Sequence, residues 1–103
     1  MRYPPIPPVL HGAGGPIAVK LVDRPRVDGE PCWGSWDDGT RTISLERRAK
    51  PAHRWRVLFH ELVHAAIDDA GLCHLLTPDG QEALCDALSS SRMAELRASL
   101  GER

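Results

Sequence analysis

Residues 51–70 read PAHRWRVLFHELVHAAIDDA, and this stretch decides the fold. Pro51 suits the first turn of a helix, where its missing N–H costs no hydrogen bond. Trp55, Leu58, Phe59, Leu62, Val63, Ala66 and Ile67 recur at helical spacing and form a wide apolar face. Gly71 is a natural stop just past the last turn. The pattern predicts a helix over 51–70, apolar around most of its girth and buried under a sheet. Inside it, His60-Glu61-Leu62-Val63-His64 spells H-E-x-x-H. Residues four apart stand on one helical face, so two imidazoles at this spacing can grip one metal ion. The Glu beside the first His can then reach a water on that ion and take its proton.

Upstream of the helix the period changes to two. Ile17, Val19 and Leu21 alternate within a strand over 17–23, and Asp28-Gly29-Glu30-Pro31 is a turn. A short strand follows over 32–36. Asp37-Asp38-Gly39 makes a tight reversal into a strand over 41–46, with Ile43 and Leu45 facing one way. Residues 1–16 are rich in Pro and Gly and read as an extended or loosely ordered arm, which Tyr3 could tie back to the body. Downstream, Thr77-Pro78-Asp79 starts a second helix by its capping residue and early proline. Ala83, Leu84, Ala87 and Leu88 are its expected buried face. Ser89-Ser90-Ser91 is an expected break, because serines compete for backbone hydrogen bonds, with 92–100 as a short final helix. The expected fold class is α+β: a small antiparallel sheet packed on the H-E-x-x-H helix and a second helix.

Length and composition narrow the function. A chain of 103 residues accommodates one domain with one modest core. A net charge of −1 gives neither nucleic acid nor an anionic membrane any bulk attraction, so neither is an expected partner. No apolar run approaches the roughly 20 residues that span a bilayer. The prolines of Met1-Arg2-Tyr3-Pro4-Pro5-Ile6-Pro7-Pro8 interrupt any signal-peptide core, so the expected compartment is the cytoplasm. Three cysteines without a Cys-x-x-Cys make neither a disulfide framework nor a cysteine zinc site, and Cys32, Cys73 and Cys85 read as small buried residues. Trp33, Trp36 and Trp55 read as core, with one exposed Trp on a strand as the alternative.

Two His ligands leave a catalytic zinc one protein ligand short. Asp68, Asp69, His74, Asp79, Glu82 and Asp86 are the candidates. Asp68 shares the metal face of the first helix but is short and sits a full turn past the ion. Glu82 begins a helix that a short loop returns against the first one, and it suits the third position better. The same residue also fits a capping box, Asp79-Gly80-Gln81-Glu82. Asp86, four residues on, can accept a hydrogen bond from the free ring nitrogen of a metal-bound His and fix its tautomer; alternatively it is a solvated helix residue.

H-E-x-x-H followed by Glu82-x-x-x-Asp86 resembles the gluzincin clan of zinc metallopeptidases. The small size, the hairpin before the active-site helix, and Gly34-Ser35-Trp36 with Ile43-Ser44-Leu45 are similar to the minimal, phage- and prophage-encoded zincins of the ImmA/IrrE-like group. The resemblance spans roughly residues 17–100, making 17–103 a minimal zincin domain behind the 1–16 arm. It implies a zincin-like fold, a zinc ion on His60, His64 and Glu82, Glu61 as general base, and hydrolysis of a peptide or protein substrate. Some gluzincins place a transition-state donor on the loop over the metal, where this chain has His74; an exposed loop histidine is the plainer reading. Arg92 and Tyr3 are weaker candidates for that donor. A substrate strand is expected to add to the sheet edge near 41–46. Larger members carry a second lobe after the third ligand, whereas 17 residues follow Asp86 here. That predicts a shallow cleft and keeps open a zinc-binding module without turnover, with His74 or a tail carboxylate as fourth ligand, or a latent enzyme covered by its arm or tail.

Overall fold

A computed structural model describes residues 2–101; Met1 and residues 102–103, the outer ends of the two expected segments, lie outside the described residues. Its strands are β1 (Val9–Gly12), β2 (Gly15–Val22), β3 (Arg26–Val27), β4 (Glu30–Pro31), β5 (Gly34–Asp37) and β6 (Thr42–Glu46). Two helices follow, α1 (Pro51–Asp69) and α2 (Pro78–Ser99), with a 3-10 turn at Cys73–Leu75 between them. The architecture is α+β.

The sheet is mixed where an antiparallel one was expected. Its order is β1-β2-β6-β5, with β2 and β6 parallel and the outer pairs antiparallel. The hairpin signal at residues 37–39 is real: Asp37 Oδ1 accepts from the backbone N–H groups of Gly39 and Thr40 at 2.9 and 3.3 Å. It determines only the β5–β6 pairing. The long path from β2 through the β3–β4 ribbon brings β6 in beside β2 in the same direction. The expected docking edge at 41–46 is therefore wrong, since β6 is paired on both sides. The open edge nearest the helices is β5.

The N-terminal arm is also more ordered than its composition predicts. Val9–Gly12 pairs antiparallel with β2 across a Gly12–Gly15 turn. Before it, Trp55 Nε1 donates to Pro4 O at 2.9 Å, and Tyr3 Oη lies 3.4 Å from Arg97 Nε. The arm thus folds back over both helices. Arg41 clamps the turn: its guanidinium donates to Asp69 at 2.6 and 3.0 Å and to Gly15 O at 3.1 Å, while Gly14 N donates to Asp69 Oδ2 at 3.0 Å.

Ile17, Val19, Ile43, Leu45, Leu58 and Ala65 form the core between β2, β6 and α1. Burying each of the large members contributes about 1.5–3 kcal/mol. Gly34 lets β5 lie close on α1; a Cβ there would stand 2.5 Å from Val57 Cγ1 and 3.0 Å from Ser44 O. Gly71 takes φ +70° just after α1, a conformation that frees the chain to turn.

Two expectations for α2 fail. The helix runs unbroken through the serines, because Ser89 Oγ donates to Asp86 O at 3.1 Å within the helix and satisfies itself. Its buried residues are Cys85, Ser89 and Met93, four apart, while Leu84 and Leu88 face out at 38% and 44% exposure. α2 packs chiefly on α1, not on the sheet. Among the described residues no helix is long and apolar enough to cross a membrane.

Candidate metal centre

The apolar periodicity of α1 turns Leu58, Ala65 and Ile67 inward and leaves His60 and His64 on the flank facing α2. Their rings meet edge to face with centroids 5.1 Å apart. On α2, Thr77 is the cap: its Oγ1 accepts from Gly80 N at 3.0 Å. This replaces the capping box expected at residues 79–82 and leaves the Glu82 carboxylate free to turn toward α1. Glu82 Oε2 lies 3.0 Å from His60 Nε2, and Oε1 lies 2.9 Å from His64 Nε2. Asp86 Oδ1 lies 3.0 Å from His60 Nδ1. Gln81 Oε1 lies 2.5 Å from His64 Nδ1.

The donor set fits a metal ion. Each Nδ1 faces an oxygen acceptor, which holds its proton on that nitrogen and leaves the Nε2 lone pair pointing inward. Both lone pairs then face a carboxylate, an arrangement that repels unless a cation or protons lie between. Cys85 Sγ also belongs here: ligand atoms of His60, His64 and Cys85 lie within 4.8 Å of one another. These three side chains could hold a metal ion, and two nitrogens, a thiol and a neighbouring carboxylate are ligands zinc accepts. Burial pushes the Cys85 thiol up to about 12, with Glu82, Glu61 and Asp86 adding to the rise. Without a cation the sulfur therefore keeps its proton at neutral pH.

Glu61 is 7% exposed, and burial raises its carboxyl above the ordinary range; His64 and His60 oppose the rise and Glu82 adds to it. It sits where two clefts meet. One, about 420 Å³, opens past His64, Gln81 and Glu82 under Ser35 and Trp36 of β5. The other, about 380 Å³, runs along α1 toward Arg56 and His53. Gly34, His60 and Glu61 line both.

His60, Glu61, His64, Glu82 and Asp86 are thus brought together. His74 is not: it is exposed on the 3-10 turn and lines neither cleft. Nothing in the site's geometry supports the donor role expected for it. Arg92 pairs with Glu95 at 3.4 Å and Tyr3 lies beside Arg97, so neither replaces it. Asp68 accepts from Trp36 Nε1 at 2.6 Å and is committed to the sheet. Gln81 and Cys85 were missed as site residues, although Cys85 was expected to be buried. Their signal was spacing: 81, 85, 89 and 93 make one helical stripe beside Glu82. Cys73 is exposed rather than buried, and Trp33, in the bend between β4 and β5 rather than on a strand, is exposed at 55%.

Comparison of the chain with protein-family models, with curated proteins and with solved structures gives no match.

Proposed function

We infer that the chain is a zinc-dependent peptidase, acting as an endopeptidase of the minimal gluzincin type. One observation carries the reading: both Nε2 atoms converge on Glu82 while a buried Glu61 stands beside them at the junction of two clefts. A zinc ion on His60, His64 and Glu82 would supply an acidified water and an electrophilic partner for the peptide carbonyl. Glu61 accepts the proton of the attacking water and passes it to the leaving amine. Burial raises its carboxyl above the ordinary range, a direction that suits a proton acceptor. Asp86 and Gln81 hold the two rings in the tautomer that presents Nε2. The substrate backbone lies along the open edge of β5, whose residues roof the clefts.

Glu61→Gln tests this. The variant is expected to bind zinc as the wild type does and to lose roughly 10²–10⁴-fold in cleavage of an unfolded protein substrate. A wild-type protein that holds zinc, cuts nothing, and behaves like Glu61→Gln defeats the reading.

Cys85 favours a second reading, a zinc-binding module without turnover. Its sulfur is near enough to both imidazoles to close the coordination shell and displace water. Cobalt-substituted protein separates the two. A sulfur-to-cobalt charge-transfer band that Cys85→Ala abolishes supports the closed site, and its absence supports the peptidase.

A further inference from the structure

The cleft along α1 away from His64 has His60, Glu61 and Asp86 at one end, and its far end, toward Arg56 and His53, takes no part in the chemistry above. Arg56 stands one helical turn before His60 on the same flank of α1. A guanidinium has five N–H donors. Here one contact is made within the protein, from Nη1 to Ser90 Oγ at 3.3 Å. Among the described residues no carboxylate pairs with Arg56. Asp86 lines the same cleft but turns Oδ1 to His60 instead. Across the cleft, Trp33 leans on His53 with ring centroids 4.6 Å apart and forms an aromatic wall. The space, about 380 Å³, accommodates a side chain or a chain end.

We propose that this cleft binds a carboxylate of the peptide substrate through Arg56, and so selects which bond is cut. A planar fork with spare donors matches a carboxylate's two oxygens. A peptide lying along β5 passes from one cleft to the other over Gly34, His60 and Glu61, which carries a neighbouring residue to Arg56. The carboxylate comes from an Asp or Glu side chain or from the peptide's own C-terminus. The inference rests on the peptidase reading for the word substrate, but the binding site is tested separately.

The experiment uses zinc-loaded Glu61→Gln protein and fluorescein-labelled Ala/Ser octapeptides. A single Glu or Gln is moved along the peptide, in versions with free and amidated C-termini. The Glu peptide is expected to bind about three- to fivefold tighter than its Gln counterpart at one position; a preference that follows the free C-terminus instead assigns the carboxylate to the chain end. Arg56→Gln is expected to erase the preference and Arg56→Lys to restore part of it, with circular dichroism showing both variants folded. Equal binding of all peptides, or a preference that survives Arg56→Gln, overturns the proposal. Cleavage by the wild type without any carboxylate preference removes the cleft's role and leaves the peptidase reading intact. Arg56-dependent binding with no wild-type cleavage does the reverse.

Discussion

The two faces of α1 are held in different ways. Toward the sheet, Leu58 meets Ile17, Ile43 and Leu45, all at 0–1% exposure, and no polar group intervenes in that cluster. Toward α2, the seam is a single stripe of Cys85, Ser89 and Met93, flanked by the contacts of Gln81, Glu82 and Asp86 with two histidines. The centre of the first interface is apolar, and its polar contacts, Trp36 with Asp68 and Arg41 with Asp69, lie at the C-terminal end of α1. The second needs its polar partners, so the position of α2 and the integrity of the site are one property. A metal ion there would act as a staple, since ligand binding to the folded state alone adds to its stability.

The contrast is broken most severely from the sheet side. Leu45→Ala is expected to cost about 2–5 kcal/mol in urea unfolding and to loosen both interfaces together. If only the sheet loosens while α2 stays protected, the two faces are independent and the coupling is wrong. Removing metal from zinc-loaded protein is the next largest effect, about 3 kcal/mol where zinc had been held at roughly 100 times its Kd. Hydrogen exchange should then rise across 78–99 while β2 and β6 keep their protection; a uniform rise would mean the staple serves the whole molecule.

A smaller effect sharpens the sheet side. Arg41 and the Gly14 amide hold the Asp69 carboxyl below the usual aspartate range. The stabilisation is full above the ordinary aspartate pKa, near about 4, and is lost as pH falls through the lowered folded value. Thermal melts should show an acid limb below about pH 4 that Asp69→Asn removes. The smallest effect tests the outward face of α2: Leu88→Ser should change stability by no more than about 0.5 kcal/mol. A loss of several times that size would place Leu88 in a core and contradict the observed packing.

The inverted face of α2 explains much of what the sequence concealed. Ala83, Leu84, Ala87 and Leu88 make the more apolar stripe and were the natural candidates for burial. Covering what remains exposed of Leu84 and Leu88 would contribute about 1 kcal/mol each. Leaving the ring nitrogens of two part-buried histidines without partners would cost about 1–3 kcal/mol apiece. Satisfying the imidazoles outweighs covering the leucines, and the helix turns Gln81, Glu82, Cys85 and Asp86 toward α1. Hydrophobic periodicity registers the leucines and is blind to the imidazoles. The serine run misled for a similar reason, because Ser89 bonds within its own helix instead of breaking it.

Signals that act within one turn or one hairpin were readable from the residues alone. They include the α1 span with Pro51 and Gly71 at its ends, the His-Glu-His spacing, the Asp37–Gly39 reversal and the Thr77 cap. Each depends on contacts fewer than about five residues apart, which side-chain chemistry dictates locally. Only the tertiary structure decided the parallel pairing of β2 with β6, the open edge at β5, the entry of Gln81 and Cys85, and the exposed place of His74 outside both clefts. Those outcomes depend on which distant surfaces meet, and that choice is made by the sum of burial and polar satisfaction over the whole fold.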